Sequence, residues 1–166
     1  HGFSKGFAMT GWRIGYIAAP QWIAAACTKL QGQFTSGASG ISQKATEHAM
    51  HGGGALAAEM KAAFLKRRDL MVNGLKAIDG FEVNVPQGAF YIFPDVSALF
   101  GRSHAGGSIQ SGQDLAMYLL EAADVATVGG DAFGSPNCMR ISYAASDEQL
   151  TEALRRIARA VDALSA

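Results

Sequence analysis

His1-Gly2-Phe3-Ser4-Lys5-Gly6-Phe7-Ala8-Met9-Thr10-Gly11-Trp12-Arg13-Ile14-Gly15-Tyr16 is the stretch whose reading decides the fold. Lys5 stands in a short turn-rich segment, and residues 12–19 read as a buried strand bounded by Gly11 and Pro20. Alternation along that strand puts Arg13, Gly15, Ile17 and Ala19 on one face and Trp12, Ile14, Tyr16 and Ala18 on the other. Arg13 is then a permanent cation among apolar neighbours. A guanidinium cannot lose its proton and is costly to bury alone, so an anion is expected beside it. A phosphate or carboxylate ligand suits its planar fork, and a buried protein carboxylate in a structural pair suits it equally.

Lys5 reaches the same ligand if the chain between it and Arg13 folds back as a loop. A small molecule with a phosphate for Arg13 and an aldehyde for Lys5 satisfies both residues, and pyridoxal 5'-phosphate is such a molecule. The bland alternative for Lys5 is a solvated loop lysine. The run from Ser4 to Tyr16, Ser-Lys-Gly-Phe-Ala-Met-Thr-Gly-Trp-Arg-Ile-Gly-Tyr, closely resembles the cofactor-lysine segment of class I aminotransferases, the aspartate aminotransferase family of fold type I. In that family a phosphate-binding serine often stands three residues before the lysine. Gly2 occupies the position here, so the role is not carried over to Ser4.

Composition narrows the alternatives. A chain of 166 residues holds one sizeable core, or one small domain and part of another. Net charge is zero and no basic run stands out, which argues against a nucleic-acid or membrane-surface partner and for a small substrate. No apolar stretch is long enough to span a bilayer and no leader with a cleavage site opens the chain, so the default location is cytoplasmic. Cys27 and Cys138 lie on an expected helix and strand without metal-ligand spacing and read as reduced core cysteines. His48 and His51 share a helix face without a third ligand, so no metal site is expected.

Outward from the opening stretch, residues 21–30 read as a helix opened by Pro20, followed by a polar run over residues 31–40. Helical spacing resumes at residues 42–50, is interrupted by Gly52-Gly53-Gly54, and continues over residues 55–75 with Leu56, Met60, Ala63, Phe64, Met71 and Leu75 on the apolar side. Residues 81–85 and 89–94 read as strands joined by Pro86-Gln87-Gly88. Residues 101–112 are Gly- and Ser-rich and read as a mobile loop without a phosphate-cradle signature. A helix over residues 114–123, a short strand over 125–128 and a turn over 129–134 follow. That turn resembles the family's Pro-Gly-x-x-Phe-Gly, with Gly129 where proline is usual, a departure expected to loosen it.

In residues 138–144 a second guanidinium, Arg140, interrupts an apolar strand-like run, and an anionic partner is again the natural explanation. A pair with an acidic side chain is the structural alternative. Ser146 with Gln149 has the spacing of a capping box, and Leu150, Leu154, Ile157, Val161 and Leu164 form the stripe of a final helix.

The resemblance runs from Lys5 to that helix. It implies an α/β chain in which residues 1–43 end a large pyridoxal-phosphate-binding domain of mixed sheet and helices, 44–79 are bridging helices, and 80–166 form a small α+β C-terminal domain. It implies Lys5 as the catalytic and cofactor-binding lysine, Arg13 at the cofactor phosphate and Arg140 at the substrate α-carboxylate. It further implies amino-group transfer from an L-amino acid, aspartate-like favoured, to a 2-oxo acid such as 2-oxoglutarate, in a homodimer when full length. The residue Phe90 of Gly88-Ala89-Phe90-Tyr91 matches a family phenylalanine near the active site; without the resemblance it is simply core. In the family the lysine lies past the middle of a chain more than twice this long. With His1 so close before it, the sequence is expected to be a C-terminal portion, inactive alone because the group facing the pyridine nitrogen and other cofactor contacts lie upstream. A carbon–sulfur lyase or synthase of the same fold, and a non-catalytic dimerisation or folding module, are the other readings. A Ser4–Lys5 hydrolase is disfavoured, because adjacent residues of an extended segment point apart and no general base accompanies them.

Overall fold

The computed structural model describes residues 1–165, the side chain of Leu56 excepted. The chain divides into two compact units, His1–Ala62 and Ala63–Ala166, and the division falls inside one long helix.

In the first unit the opening segment closes on itself. Tyr16 N–H donates to His1 O at 2.8 Å, Phe3 N–H to Ile14 O at 3.4 Å, and Gly2 and Gly15 form an antiparallel bridge. A Cβ at Gly15 would lie 2.9 Å from His1 O, so the close approach of the two backbones requires glycine there. The expected strand over residues 12–19 does not form. Thr10–Trp12 make a 3-10 turn, Arg13 is left-handed at φ 50° and ψ 51°, and residues 15–20 are exposed. The apolar run has one bridging residue and, among the described residues, no neighbouring strand to complete a ladder, so alternation has no sheet to act on.

Helix α1 (Gln21–Phe34) follows Pro20, whose fixed φ suits a helix start, and runs past the expected end into the polar segment. It buries none of its residues, and Cys27 is exposed rather than core, because nothing among the described residues of this unit buries that helix face. Helix α2 (Gly40–Gly52) buries Ser42 and Thr46, and the Thr46 hydroxyl is satisfied by the Ser42 carbonyl at 2.6 Å. The glycine triplet breaks the path, and α3 (Gly54–Lys76) begins. Leu56, counted in the α3 stripe, lies outside the described side chains.

The second unit holds the main core. Strands β1 (Tyr91–Ile92), β4 (Val128–Gly129) and β5 (Met139–Ser142) form an antiparallel sheet in the order β1-β5-β4. Register pairs Ile92 with Ile141 and Tyr91 with Ser142 on one side, and Val128 with Arg140 on the other. Met71, Leu75, Ile92, Leu115, Leu119, Met139 and Ile157 are buried side by side, drawn from α3, α4 (Gly112–Ala123), the sheet and α5 (Asp147–Asp162). Each such side chain contributes about 1.5–3 kcal/mol on leaving water. Lys66 and Arg67 of α3 both reach Asp147 in the first turn of α5, at 2.6 and 3.0 Å. Tyr118 of α4 donates to Ala160 O at 2.8 Å.

Several expected elements are shorter here. Residues 81–85 contribute only a Glu82–Asp95 bridge, since Pro86 ends the run before a ladder can grow. The strand over 89–94 narrows to two residues because Ala89 is left-handed at φ 59°, and that over 125–128 narrows to its last residue and Gly129. The Gly- and Ser-rich residues 101–112 are not an open loop. They carry the hairpin β2 (Ser103–His104) and β3 (Gly107–Ser108), whose Gly107 at φ 143° takes a conformation glycine alone adopts freely. No helix among the described residues is long and apolar enough to cross a membrane.

Candidate active site

Lys5 is exposed in a tight loop built on its own backbone: Phe7 N–H and Met9 N–H both donate to Phe3 O, and Ala8 N–H donates to Lys5 O at 3.1 Å. Ala8 is left-handed at φ 53°. The rings of Phe3 and Phe7 pack at 5.3 Å under this loop, and Phe3 and Met9 are the buried apolar anchors of the segment. Gly53, at the end of α2, is buried against it. A Cβ there would lie 2.9 Å from Phe7 Cε1, so the glycine that breaks the helix also admits the ring. The glycine triplet signals the break in sequence but gives no sign of this contact.

Thr10 joins the loop to Arg13. Its hydroxyl donates to Ser4 O at 2.8 Å, and its carbonyl accepts from Arg13 Nη1 at 3.0 Å. Arg13 is exposed, not buried among apolar side chains, and pairs with no carboxylate among the described residues. One of its five N–H groups is used on Thr10, and the others are available to an anion. Two non-glycine left-handed residues in so short a span, Ala8 and Arg13, each cost about 1–2 kcal/mol, the kind of strain that collects where a loop must present particular groups.

Arg140 belongs to the second unit. The side chains of Met139 and Ile141 face the core, so alternation turns Arg140 and Ser142 to the other face of β5, where Arg140 is half-buried. The acidic partner that its setting suggests does not exist among the described residues. Its guanidinium carbon lies instead over two aromatic rings, 4.5 Å from the centroid of Tyr91 and 4.7 Å from that of Phe133. Phe90 packs against the core, with its ring 6.0 Å from that of Phe64. The neighbouring Ala89 is fixed by Tyr143, whose hydroxyl donates to Ala89 O at 3.1 Å. Burial pushes the Tyr143 phenol above its ordinary value, with Arg68 opposing weakly, so it stays a donor at neutral pH.

A family model described as "Aminotransferase class I and II" matches residues 1–157. The chain belongs to this family. It is 52% identical over 97% of its length to a bifunctional aspartate aminotransferase and glutamate/aspartate-prephenate aminotransferase of Petunia hybrida, covering 34% of that protein. An aspartate aminotransferase of Rhizobium meliloti is 48% identical over 99% of the chain, which covers 40% of it. A crystal structure of the aspartate aminotransferase from Rhizobium meliloti superposes with a TM-score of 0.94 at 48% identity, over 99% of this chain and 41% of the other. The chain thus spans between a third and about two fifths of the length of these relatives.

Proposed function

We propose that, within a full-length protein, this chain supplies the cofactor lysine and the substrate-carboxylate arginine of an aminotransferase. The reaction moves the amino group of an L-amino acid, aspartate favoured, to a 2-oxo acid such as 2-oxoglutarate. The observation that carries the substrate choice is the identity of 48–52%, over nearly the whole chain, to proteins named aspartate aminotransferases. Family members work with pyridoxal 5'-phosphate.

The donor set fits that cofactor. Lys5 is presented by a strained loop, and Arg13 is tied to that loop through Thr10 with most of its N–H groups uncommitted. Lys5 Nζ would hold the cofactor through its aldehyde carbon, and Arg13 would hold its phosphate. When bound, the cofactor supplies an electron sink for the pair left on the substrate α-carbon. Arg140 clamps the substrate α-carboxylate and so fixes which α-substituent faces the base. Lys5 Nζ would act as the base that takes the proton from the substrate α-carbon and, as the ammonium, would hold it ready for return.

Residues 1–43 are read as the end of the large cofactor domain, 44–79 as bridging helices and 80–166 as the small domain. The division of contacts inside α3 supports α3 as the bridge. The exposed Trp22, Phe34 and Ile41 are the surfaces that the rest of the protein and a second subunit would cover, in a cytoplasmic homodimer. The chain alone is read as inactive.

The test is to assay the full-length protein with aspartate, 2-oxoglutarate and pyridoxal phosphate. Stoichiometric glutamate and oxaloacetate are expected. Release of ammonia or sulfide from amino-acid substrates without oxo-acid exchange would overturn amino transfer.

A further inference from the structure

We infer that Tyr91 and Phe133 are positioning residues for Arg140, fixing its guanidinium so that it meets a carboxylate through its N–H edge. The inference rests on the reading of Arg140 as the carboxylate-binding residue and goes beyond it by assigning two side chains that do not themselves touch substrate.

The sheet explains how the rings come to Arg140. Tyr91 of β1 stands opposite Ser142 of β5, and Arg140 is two residues from Ser142 on the same face. Tyr91 and Arg140 are therefore diagonal cross-strand neighbours, a spacing within reach of an aromatic ring and a long side chain. Phe133 arrives from the other edge. It closes the 3-10 turn Gly130–Phe133 that follows β4, whose Val128 is paired with Arg140. Phe93, two residues beyond Tyr91, meets the Phe133 ring edge-on at 5.8 Å and 89°. Phe133 is thus held from a side that does not compete with Arg140.

Neither ring offers an anion, and the Arg140 guanidinium has no hydrogen bond or ion pair among the described residues. A guanidinium carbon held over two rings is placed without a lone-pair acceptor, which leaves its N–H donors for a carboxylate. A long side chain otherwise samples many rotamers, and stacking removes that freedom before the ligand arrives, so less is lost on binding. A carboxylate can then take two parallel N–H bonds from the fork, whereas an aspartate or glutamate placed beside Arg140 would have filled the same donors.

The test uses the full-length enzyme with bound pyridoxal phosphate and succinate as an unreactive carboxylate probe, with Kd measured by calorimetry. An inactive fraction changes the stoichiometry and not Kd, so loss of folded enzyme alone leaves this readout unmoved. Phe133→Leu and Tyr91→Leu are each expected to weaken succinate roughly two- to five-fold, the size of a partly exposed cation–π contact. Tyr91→Phe, which keeps the ring, is expected to recover most of the loss seen in Tyr91→Leu. Phe133 is more exposed than Tyr91, so its substitution disturbs folding less. Arg140→Gln separates the two levels of the claim. If it abolishes succinate binding while both leucine variants bind like the parent, the positioning role is overturned and the Arg140 reading stands. If Arg140→Gln binds succinate like the parent, both are overturned.

Discussion

The Thr10 hydroxyl donates to the Ser4 carbonyl at 2.8 Å, and the Thr10 main-chain carbonyl accepts from Arg13 at 3.0 Å, so one residue links the lysine loop to the arginine. The hydroxyl bond is exposed and neutral, and a bond of this kind contributes about 0.5–1.5 kcal/mol. Thr10→Val keeps the shape and removes the donor. In the full-length protein it is expected to leave global stability within about 1 kcal/mol and to speed hydrogen exchange at the Phe7 and Ala8 amides, which close the loop. Unchanged exchange there would mean that the loop is held by its own turn alone.

Gly129 stands where the family pattern usually has proline, and its φ of −59° is one that proline adopts. The favourable effect of proline on the unfolded chain is about 0.4–1 kcal/mol. Sterics outweigh it here, because a Cβ at Gly129 would lie 2.7 Å from Gln113 Cα and 2.9 Å from its Cβ, at the start of α4. Overpacking of that sort costs about 1–3 kcal/mol. Gly129→Pro is therefore expected to lower the urea midpoint, and so is Gly129→Ala. A higher midpoint for the proline variant would show that α4 yields.

Acid sensitivity has a specific source in α5. Arg155 and Arg156 both hydrogen-bond the Glu152 carboxylate, at 2.6 to 2.8 Å, and draw its pKa down from 4.5 to about 2. A carboxylate with a depressed folded pKa stabilises the fold above its unfolded value, and the contribution is lost as pH falls through the folded one. The difference in urea midpoint between the parent and Glu152→Gln should be constant above pH 4.5 and shrink between there and pH 2. A difference that stays constant through that window would mean the two arginines do not hold Glu152 in solution.

The cap of α5 was legible from spacing alone. Ser146 accepts from Gln149 N, and the Gln149 side chain accepts in return from Ser146 N. Ser146→Ala is expected to cost about 1 kcal/mol, seen as a lower melting temperature.

What the residues made readable was local: helix periodicity, caps, the glycine break before α3, and the two arginines as chemically conspicuous. The strand expected over residues 12–19 failed because a strand is completed by its neighbours, and the chain offers that run one bridging residue. Arg13 was placed on a buried face for the same reason. Cys27 is exposed where helical spacing predicts core, because spacing reports a face but not whether anything covers it. The rings beside Arg140 come from two other segments, and only the register of β1 on β5 brings Tyr91 near it. Alternation in residues 89–94 set against residues 138–144 was the available signal, but pairing across so many intervening residues is not written in either run.

The central claim, that Lys5 is the cofactor lysine, is tested most directly by trapping. The full-length protein is incubated with pyridoxal phosphate, reduced with borohydride to fix the lysine–cofactor bond, digested, and the adduct located by peptide mass spectrometry. A single stoichiometric adduct on Lys5 is the expected result. Label on another lysine, or scattered over exposed lysines with Lys5 unmodified, would contradict it.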